Sequence, residues 1–548
     1  MSSVEAGTGG RRRSRAEVSE RILRGAPSRV DDEVALLQGP LEVALLVVSL
    51  ASTASFFIYG FNMYYLLRLR RRYSPPRRAA DALPEVAVHL PIYNEMYVVE
   101  RLLAACAGCA DGYGRERVHI SVLDDSDDGT TEVARRLAES YRERGYRVDV
   151  LHREDRAGYK AGALNRALAE TGEALLVVFD SDFVPRPDFL ERAVSYICAD
   201  DRLGVVQFRW SYTNREYNWV TKSVSIGMEA HFRIEQPARC AGGLFLNFNG
   251  SAGIIRTEAL RESGGWQQDT LAEDLDASYR MQLRGHRVQY VDDDVPCEVP
   301  PTVSSFKRQQ ARWARGSLQV AKKSLPTLLA RPDIGAKKKF EALVHLTYYA
   351  VHPLMFFAFV IAVLSALSGV DVIGVVLPSL VPSAAWVAWV LIGLPIAFCT
   401  VAVWIYYVTA MRLRGDGVLR SAPYLFVLLL LGYGISASNT IEAAKALLLR
   451  RSGSFRRTPK YAILGRKGSW RDKRYQVPLD PSTALEAGCA ALAFFAIAAA
   501  ALSGNYGIVP ILALYGASYS FVPACTILQK GRELEGPPPA TERGRAVR

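Results

Sequence analysis

Histidine is scarce and paired cysteine scarcer: the 548 residues hold seven histidines and eight scattered cysteines. Cys106-Ala107-Gly108-Cys109 is the one C-x-x-C, with no second pair and no histidine at zinc spacing. A structural zinc site is therefore not expected, and packed small residues on a helix are. Four of the cysteines sit in or beside apolar helices or strands, which fits a reducing compartment. No small-residue cleavage site follows the first long apolar run, 41–67, and that run is too long for a signal peptide. It is expected to remain as a helix. Segment 368–383 lacks lysine and arginine altogether.

Apolar sequence is what the chain has in quantity. Half of its residues are hydrophobic, yet the mean hydropathy is only +0.06. That average hides a charged block, about 68–340, between long apolar runs. Five runs, 41–67, 342–367, 384–411, 483–503 and 506–527, are long enough to cross a bilayer core, which takes ~20 apolar residues as helix. So long a chain calls for at least two structural units. The net charge of +12 does not point to nucleic acid, because the basic residues cluster beside apolar runs: Arg68 to Arg72, Arg450-Arg451, Arg456-Arg457, Arg466-Lys467 and Lys473-Arg474. Juxtamembrane lysine and arginine mark a cytoplasmic face against anionic lipid.

A cytosolic charged block puts 368–383 outside, as its lack of positive charge allows, and Arg412, Arg414 and Arg420 inside. The basic stretch 448–474 must then be inside too, which a single crossing by 421–447 would prevent. That run carries Gly432, Tyr433, Gly434, Ser436, Ser438, Asn439, Thr440 and Glu442, so it is expected to lie in the interface or re-enter. Five crossings leave the arginines among residues 11–29 on the outer side, against the rule. The expected order is a polar tail (1–40), a transmembrane helix (41–67), an α/β domain (84–335) and two transmembrane helices (342–411). An interfacial or re-entrant helix (421–447), a basic cytosolic loop (448–480), a transmembrane hairpin (483–527) and a disordered tail (528–548) follow.

Within the block, β-rich runs alternate with helical patterns, the signature of a parallel sheet. Strands are expected at Val86–Pro91, His119–Leu123, Val148–Leu151 and Ala174–Phe179. Three of them run into carboxylates: Tyr93-Asn94-Glu95, Asp124-Asp125-Ser126-Asp127-Asp128-Gly129, and Asp180-Ser181-Asp182. Ligands of open α/β sheets bind beyond such strand ends. The second cluster also reads as a turn and helix cap. The third ends an apolar strand in two acids pointing the same way, a hard-oxygen site suited to Mg²⁺ or Mn²⁺, with diphosphate completing the ligands. Lys160 lies near a helix N-terminus, where it suits phosphate, though it also reads as a surface lysine. Glu273, Asp274 and Asp276 open a helical pattern; capping explains one of them, and another could serve as a general base. Gln309, Arg312 and Trp313, at i, i+3 and i+4, share one helix face, where the Trp alone could be an interfacial anchor.

These elements in this order resemble the family-2 glycosyltransferases with a GT-A fold, and within them the processive β-glycan synthases (cellulose, mannan and hyaluronan synthases). The matching runs are Pro91-Ile92-Tyr93-Asn94-Glu95, Leu123-Asp124-Asp125-Ser126, Lys160-Ala161-Gly162, Asp180-Ser181-Asp182, Phe248-Asn249-Gly250-Ser251-Ala252-Gly253, Glu273-Asp274 and Gln309-x-x-Arg312-Trp313. The Asn-Gly-Ser-Ala-Gly form and the following Gly264-Gly265-Trp266 look closer to the plant mannan and glucomannan synthase branch than to bacterial cellulose synthase. The resemblance implies an α/β GT-A (Rossmann-like) cytosolic domain with a bundle of transmembrane helices, in a multi-pass protein of the plasma (inner) membrane.

The resemblance also implies roles. Tyr93, Glu95, Asp124 and Asp125 would hold the nucleoside, and Lys160 and Arg312 the diphosphate. Asp180 would hold donor and metal and Asp182 the metal, Mg²⁺ or Mn²⁺. Asp274, with Glu273 beside it, would be the general base. Trp313 and Gln309 would meet the acceptor, with Phe248, Asn249, Gly250 and Ser251 nearby. Phe455, Thr458 and Lys460 match a cytosolic gating loop of the form F-x-x-T-x-K. Two departures stand out: Ala272 replaces the usual Thr, and the tail after 527 is too short for a cyclic-dinucleotide-binding domain. The implied activity is metal-dependent, inverting hexosyl transfer from a nucleotide sugar (GDP-mannose or UDP-glucose) to a growing β-glycan. The alternatives are one-sugar transfer to a membrane lipid and, remotely, a non-catalytic scaffold. Partners would be the donor, a glycan or lipid acceptor and membrane lipids, with no nucleic acid.

Overall fold

The computed structural model describes residues 29–79, 83–370, 389–449, 453, 457–471 and 473–530. Most of the polar tail, most of the outer loop, Phe455 and the tail from 531 lie outside the described residues.

Seven strands form one sheet in the order β3-β2-β1-β4-β6-β5-β7. They are β1 (Val86–Ile92), β2 (Val118–Asp124), β3 (Arg147–His152), β4 (Leu175–Val178), β5 (Leu203–Tyr212), β6 (Gly253–Arg256) and β7 (Arg287–Cys297). β1 pairs parallel with β2 and β4, and β2 with β3. β6 runs antiparallel between β4 and β5. This is the GT-A arrangement of a Rossmann-like half joined to a mixed half. β1, β2 and β4 are buried on both faces, which accounts for their largely apolar runs, whereas the edge strand β3 is half-exposed. Alternation still sorts the residues: Val86, Val88, Leu90, Leu175, Val177 and Phe179 enter one core, and Ala87, Leu176 and Val178 the other. In register, Ile92 stands beside Asp124, so both loops leave the same edge.

Five described helices are long and apolar enough to cross a membrane: Val43–Arg70, Tyr348–Ser368, Leu394–Arg414, Ser482–Leu502 and Tyr506–Leu528. The chain is a membrane protein. The second of these begins at Tyr348, not at 342, because the preceding helix, Ala336–Leu346, is a separate element. Glu341 there accepts from Asn62 Nδ2 at 2.8 and 3.0 Å, and His345 meets the Tyr279 hydroxyl at 2.7 Å. Those polar groups need protein partners that lipid does not offer. The third extends to Arg414, whose guanidinium lies 3.6 Å from Glu229 of the α/β domain.

The run expected at 421–447 is a pair of helices, Val418–Gly434 and Ser436–Leu448, bent by 48°. Leu431 and Ile435 pack on Val220, Val224, Val303 and Phe306, and Ala443 and Ala446 on Leu318. The second helix of the pair thus lies along the helix Val303–Ala330, which carries the Gln309–Trp313 face, while the first packs on the helices Trp219–Ala230 and Val509–Leu528.

Candidate active site

One pocket at the carboxyl ends of β1, β2 and β4 is lined by Tyr93, Glu95, Asp125, Lys160, Asp180, Asp182, Asn249, Glu273, Asp274, Gln309, Arg312, Trp313, Thr458 and Lys460. Residues from eight separate stretches of sequence meet there.

Its floor is a network of opposite charges. Lys160, at the start of the helix Tyr159–Glu170, donates to Asp180 Oδ1 at 2.6 Å and to the Gly250 carbonyl at 3.0 Å, and its Nζ lies 3.7 Å from Glu273. Burial opposes its charge, but Asp180 and Glu273 hold its pKa above the ordinary lysine value. Asp274 opens the helix Glu273–Leu283 and accepts from the Leu275 amide at 2.8 Å. Burial and the neighbouring Glu273 push its carboxyl up to about 7, against the pull of Lys160 and Arg312. Gly250 has φ +79°, and a Cβ there would stand 2.6 Å from Asp274 Oδ2. Only glycine gives this backbone so close an approach to the acid.

The loop after the bent helix pair enters the same pocket. Arg457 lies 3.1 Å from Glu95, and Lys460 lies 2.8 Å from Asp182 Oδ2. Burial raises the Glu95 carboxyl to about 8 despite Arg457 and Lys460. Tyr93 is covered by the Arg156 guanidinium, 3.4 Å from its ring centre, and its hydroxyl donates to Asp127 at 3.2 Å. Asn94, Arg156 and Tyr159 all adopt positive φ around this corner, strain of a kind that clusters at functional sites.

Some expected residues stand elsewhere. Asp124 is fully buried and does not line the pocket. Its oxygens accept from the Ser126 amide (3.0 Å), the Thr131 hydroxyl (2.6 Å) and His152 Nδ1 (2.9 Å), so it braces the loop. Asp125 lines the pocket but is held by Arg153 at 2.8 and 2.6 Å. Of residues 248–251, only Asn249 lines the pocket. Phe248 is buried in the second core beside Trp266, because its preceding backbone is tied by the Ser278 hydroxyl at 2.8 Å. Ser251 is buried under Asp180, whose amide donates to its hydroxyl at 3.0 Å. Ala272 fits its setting: a Cβ on Gly316 would stand 2.9 Å from the Ala272 Cβ. The helix Val303–Ala330 therefore passes close to this alanine at Gly316.

Pocket residues that the sequence motifs did not single out include Arg156, Trp210, Glu298 and Arg457. Arg457 sits inside F-x-x-T-x-K, which was the available signal. Glu298 accepts from Arg101 at 2.6 Å, while its amide donates to Asp182 Oδ2 at 3.0 Å.

The carboxylates fit a shared cation. Asp182 Oδ1 is buried without a hydrogen-bond partner among the described residues, and Asp180 faces the same pocket. Among the described residues no group of three or more His, Cys, Asp or Glu could hold a metal alone. Donor phosphate oxygens would therefore have to complete the ligand set, as is usual for Mg²⁺.

Residues 84–316 match the family described as "Glycosyltransferase like family 2". Glucomannan 4-beta-mannosyltransferase 7 of Arabidopsis thaliana is 34% identical over 265 residues, 47% of this chain and 47% of the relative. Probable glucomannan 4-beta-mannosyltransferase 6 of Oryza sativa subsp. japonica is 33% identical over 337 residues, 58% of each. The chain thus spans about half the length of the curated relatives it matches. Among solved structures, mannosyltransferase PcManGT from Pyrobaculum calidifontis, in complex with GDP-Man and Mn²⁺, aligns with a TM-score of 0.46 and 23% identity, covering 67% of this chain and 97% of that one. S. aureus TarS aligns with a TM-score of 0.37 and 14% identity, covering 69% and 57%.

Proposed function

We propose, from the premise that residues 84–316 are a family-2 glycosyltransferase domain of the cellulose synthase-like, mannan synthase type, that the whole chain is an inverting hexosyltransferase extending a β-glycan at the membrane. The observation that carries this reading is the meeting of Asp274, poised near neutrality, with Lys160, Arg312, Asp180 and Trp313 in one pocket.

Asp274 takes the proton of the acceptor hydroxyl. The freed oxygen forms its bond to the anomeric carbon as the bond to the nucleoside diphosphate breaks on the opposite face, so an α-linked donor gives a β-glycoside. A general base whose pKa lies near the working pH is most effective. Lys160 and Arg312 receive the charge that develops on the leaving diphosphate. Asp180 and Asp182 would hold Mg²⁺ or Mn²⁺, which supplies further charge stabilisation at the diphosphate. Tyr93, Glu95 and Asp125 hold the nucleoside, with Arg156 over the Tyr93 ring. Trp313 stacks under the acceptor sugar, beside Gln309 and Asn249. Thr458 and Lys460 belong to a loop that closes on the donor.

GDP-mannose ranks ahead of UDP-glucose as donor, because the curated relatives are named for mannosyl transfer. A cytosolic domain is the orientation that the arginines around 68–72 and 412–414 favour, with the bent pair 418–448 lying in the interface. The test offers purified protein in vesicles each donor separately, with Mg²⁺ or Mn²⁺, and sizes the product. Long mannanase- or β-glucanase-sensitive chains are expected. An organic-extractable glycolipid would replace the polymer reading with single-sugar transfer, and no transfer from either donor would refute both.

A further inference from the structure

Between the helix Trp219–Ala230 and the helix Gln236–Ala241 the backbone widens into a single π-helical turn, His231–Glu235. Such turns are rare and recur where side chains must be placed for function. Here the turn sets His231 between two groups: its Nδ1 lies 2.9 Å from Glu235 Oε2, and its Nε2 lies 3.0 Å from Asn249 Oδ1. Asn249 is the one residue of its motif that lines the pocket.

The direction of the Asn249 amide follows from a chain of hydrogen bonds anchored on the main chain. Gln236 Nε2 lies 3.1 Å from the Asn247 carbonyl, which can only accept, so that end of the Gln236 amide is its NH₂. The same NH₂ donates to Asn247 Oδ1 at 3.2 Å, which turns the Asn247 NH₂ toward Asn249. Asn247 Nδ2 then donates to Asn249 Oδ1 at 2.7 Å. The oxygen of Asn249 therefore faces Asn247 and His231 Nε2, which also lies 3.3 Å from Gln236 Nε2. Asn249 Nδ2, at the other end, is buried without a partner among the described residues. A buried NH₂ left unpaired is costly, which marks a place where a ligand supplies the acceptor. Asn249 adjoins Gly250, whose backbone abuts Asp274. The unpaired donor thus lies in the same pocket as the proposed base.

We propose that His231, oriented by Glu235, is a positioning residue for the acceptor: it fixes the Asn249 amide so that Nδ2 donates to an oxygen of the acceptor sugar. This rests on the glycosyltransferase reading above. Glu235 is itself held, its Oε1 accepting from Arg239 Nε at 2.9 Å and lying 3.9 Å from His345. The dyad is thereby tied to the helix that leads into the second apolar span.

The test separates acceptor from donor. Binding of a manno- or cello-oligosaccharide is read by tryptophan fluorescence, since Trp210 and Trp313 line the pocket, and GDP and UDP binding are measured on the same samples. His231→Ala and Asn249→Asp should each weaken oligosaccharide binding by about 10-fold and raise the acceptor KM alike, leaving nucleotide affinity and donor KM unchanged. The double variant should be no weaker than Asn249→Asp alone, because His231 acts through Asn249. His231→Gln, which keeps one donor, should recover part of the loss if the alanine variant folds poorly. Unchanged oligosaccharide affinity in His231→Ala, additive losses, or no oligosaccharide binding by the wild type would each overturn the proposal. Normal binding effects with no sugar transfer from any donor would instead refute the reading of function and leave the positioning role standing.

Discussion

Asp274 is held between burial with Glu273, which favours its protonated form, and Lys160 with Arg312, which favour the carboxylate. The balance, about 7, gives the sign of the pH dependence. A base works deprotonated, so kcat/KM should rise as pH increases through about 7 and fall about tenfold per unit below it. Asp274→Asn should remove that limb and lower kcat by about 10²–10⁴-fold, with nucleotide affinity retained. A variant as fast as wild type would assign the base elsewhere. Lys460 makes a second prediction. It holds one oxygen of Asp182, and Asp182 and Asp180 raise its pKa against the opposing effect of burial. Removing that cation in Lys460→Ala should tighten Mn²⁺ binding in the absence of donor by about 3–10-fold, read by calorimetry, since like charges no longer compete. Weaker binding would mean that the lysine supports the cation site.

At the scale of elements, the contact between Val303–Ala330 and the segment before Glu273–Leu283 sets the site's width. Gln319 Oε1 accepts from the Leu271 amide at 2.9 Å, and Lys323 donates to Asp269 at 2.8 Å, so the two pieces are stitched beside Gly316. Gly316→Ala should destabilise the protein by about 1–3 kcal/mol through overpacking and lower turnover more than nucleotide binding. Thermal unfolding in detergent and paired kinetics measure both; an unchanged variant would mean that the helix shifts freely. The strand ends were legible in sequence because apolar runs stop abruptly in acids, and the helix face because Gln309, Arg312 and Trp313 repeat at helical spacing. Phe248 and Ser251 were not legible. Which residue of a short run turns into the pocket depends on the positive φ at Gly250 and on β6 pairing antiparallel with β4, neither of which is local. Asp124 misled for a related reason: its sequence neighbours do not reveal that His152, from the end of β3, takes its oxygen. The start of the second span was missed because Glu341 and His345 sit in an otherwise apolar run, with partners far away in the chain.

On the scale of the whole molecule, membrane and catalytic parts are joined by buried charge. Lys307, two residues before Gln309, donates to Glu486 Oε2 at 2.7 Å, and both side chains are nearly or fully buried. Lys307→Met should cost about 3–5 kcal/mol, because it strands Glu486, whereas Lys307→Met with Glu486→Leu should recover most of it. Thermal shifts of the three variants measure this; equal losses in the single and double variants would show that the pair carries no coupling. The same tie has a consequence for how the protein is made. Glu486 follows Lys307 by 179 residues, a lag of roughly 10–40 s at ordinary rates of synthesis. Until the final hairpin emerges, the helix bearing the Gln309–Trp313 face holds an uncompensated cation and cannot settle. Maturation of the active site is thereby timed to the end of translation, so nascent chains stalled before residue 482 should remain protease-sensitive in this helix and finished chains should not.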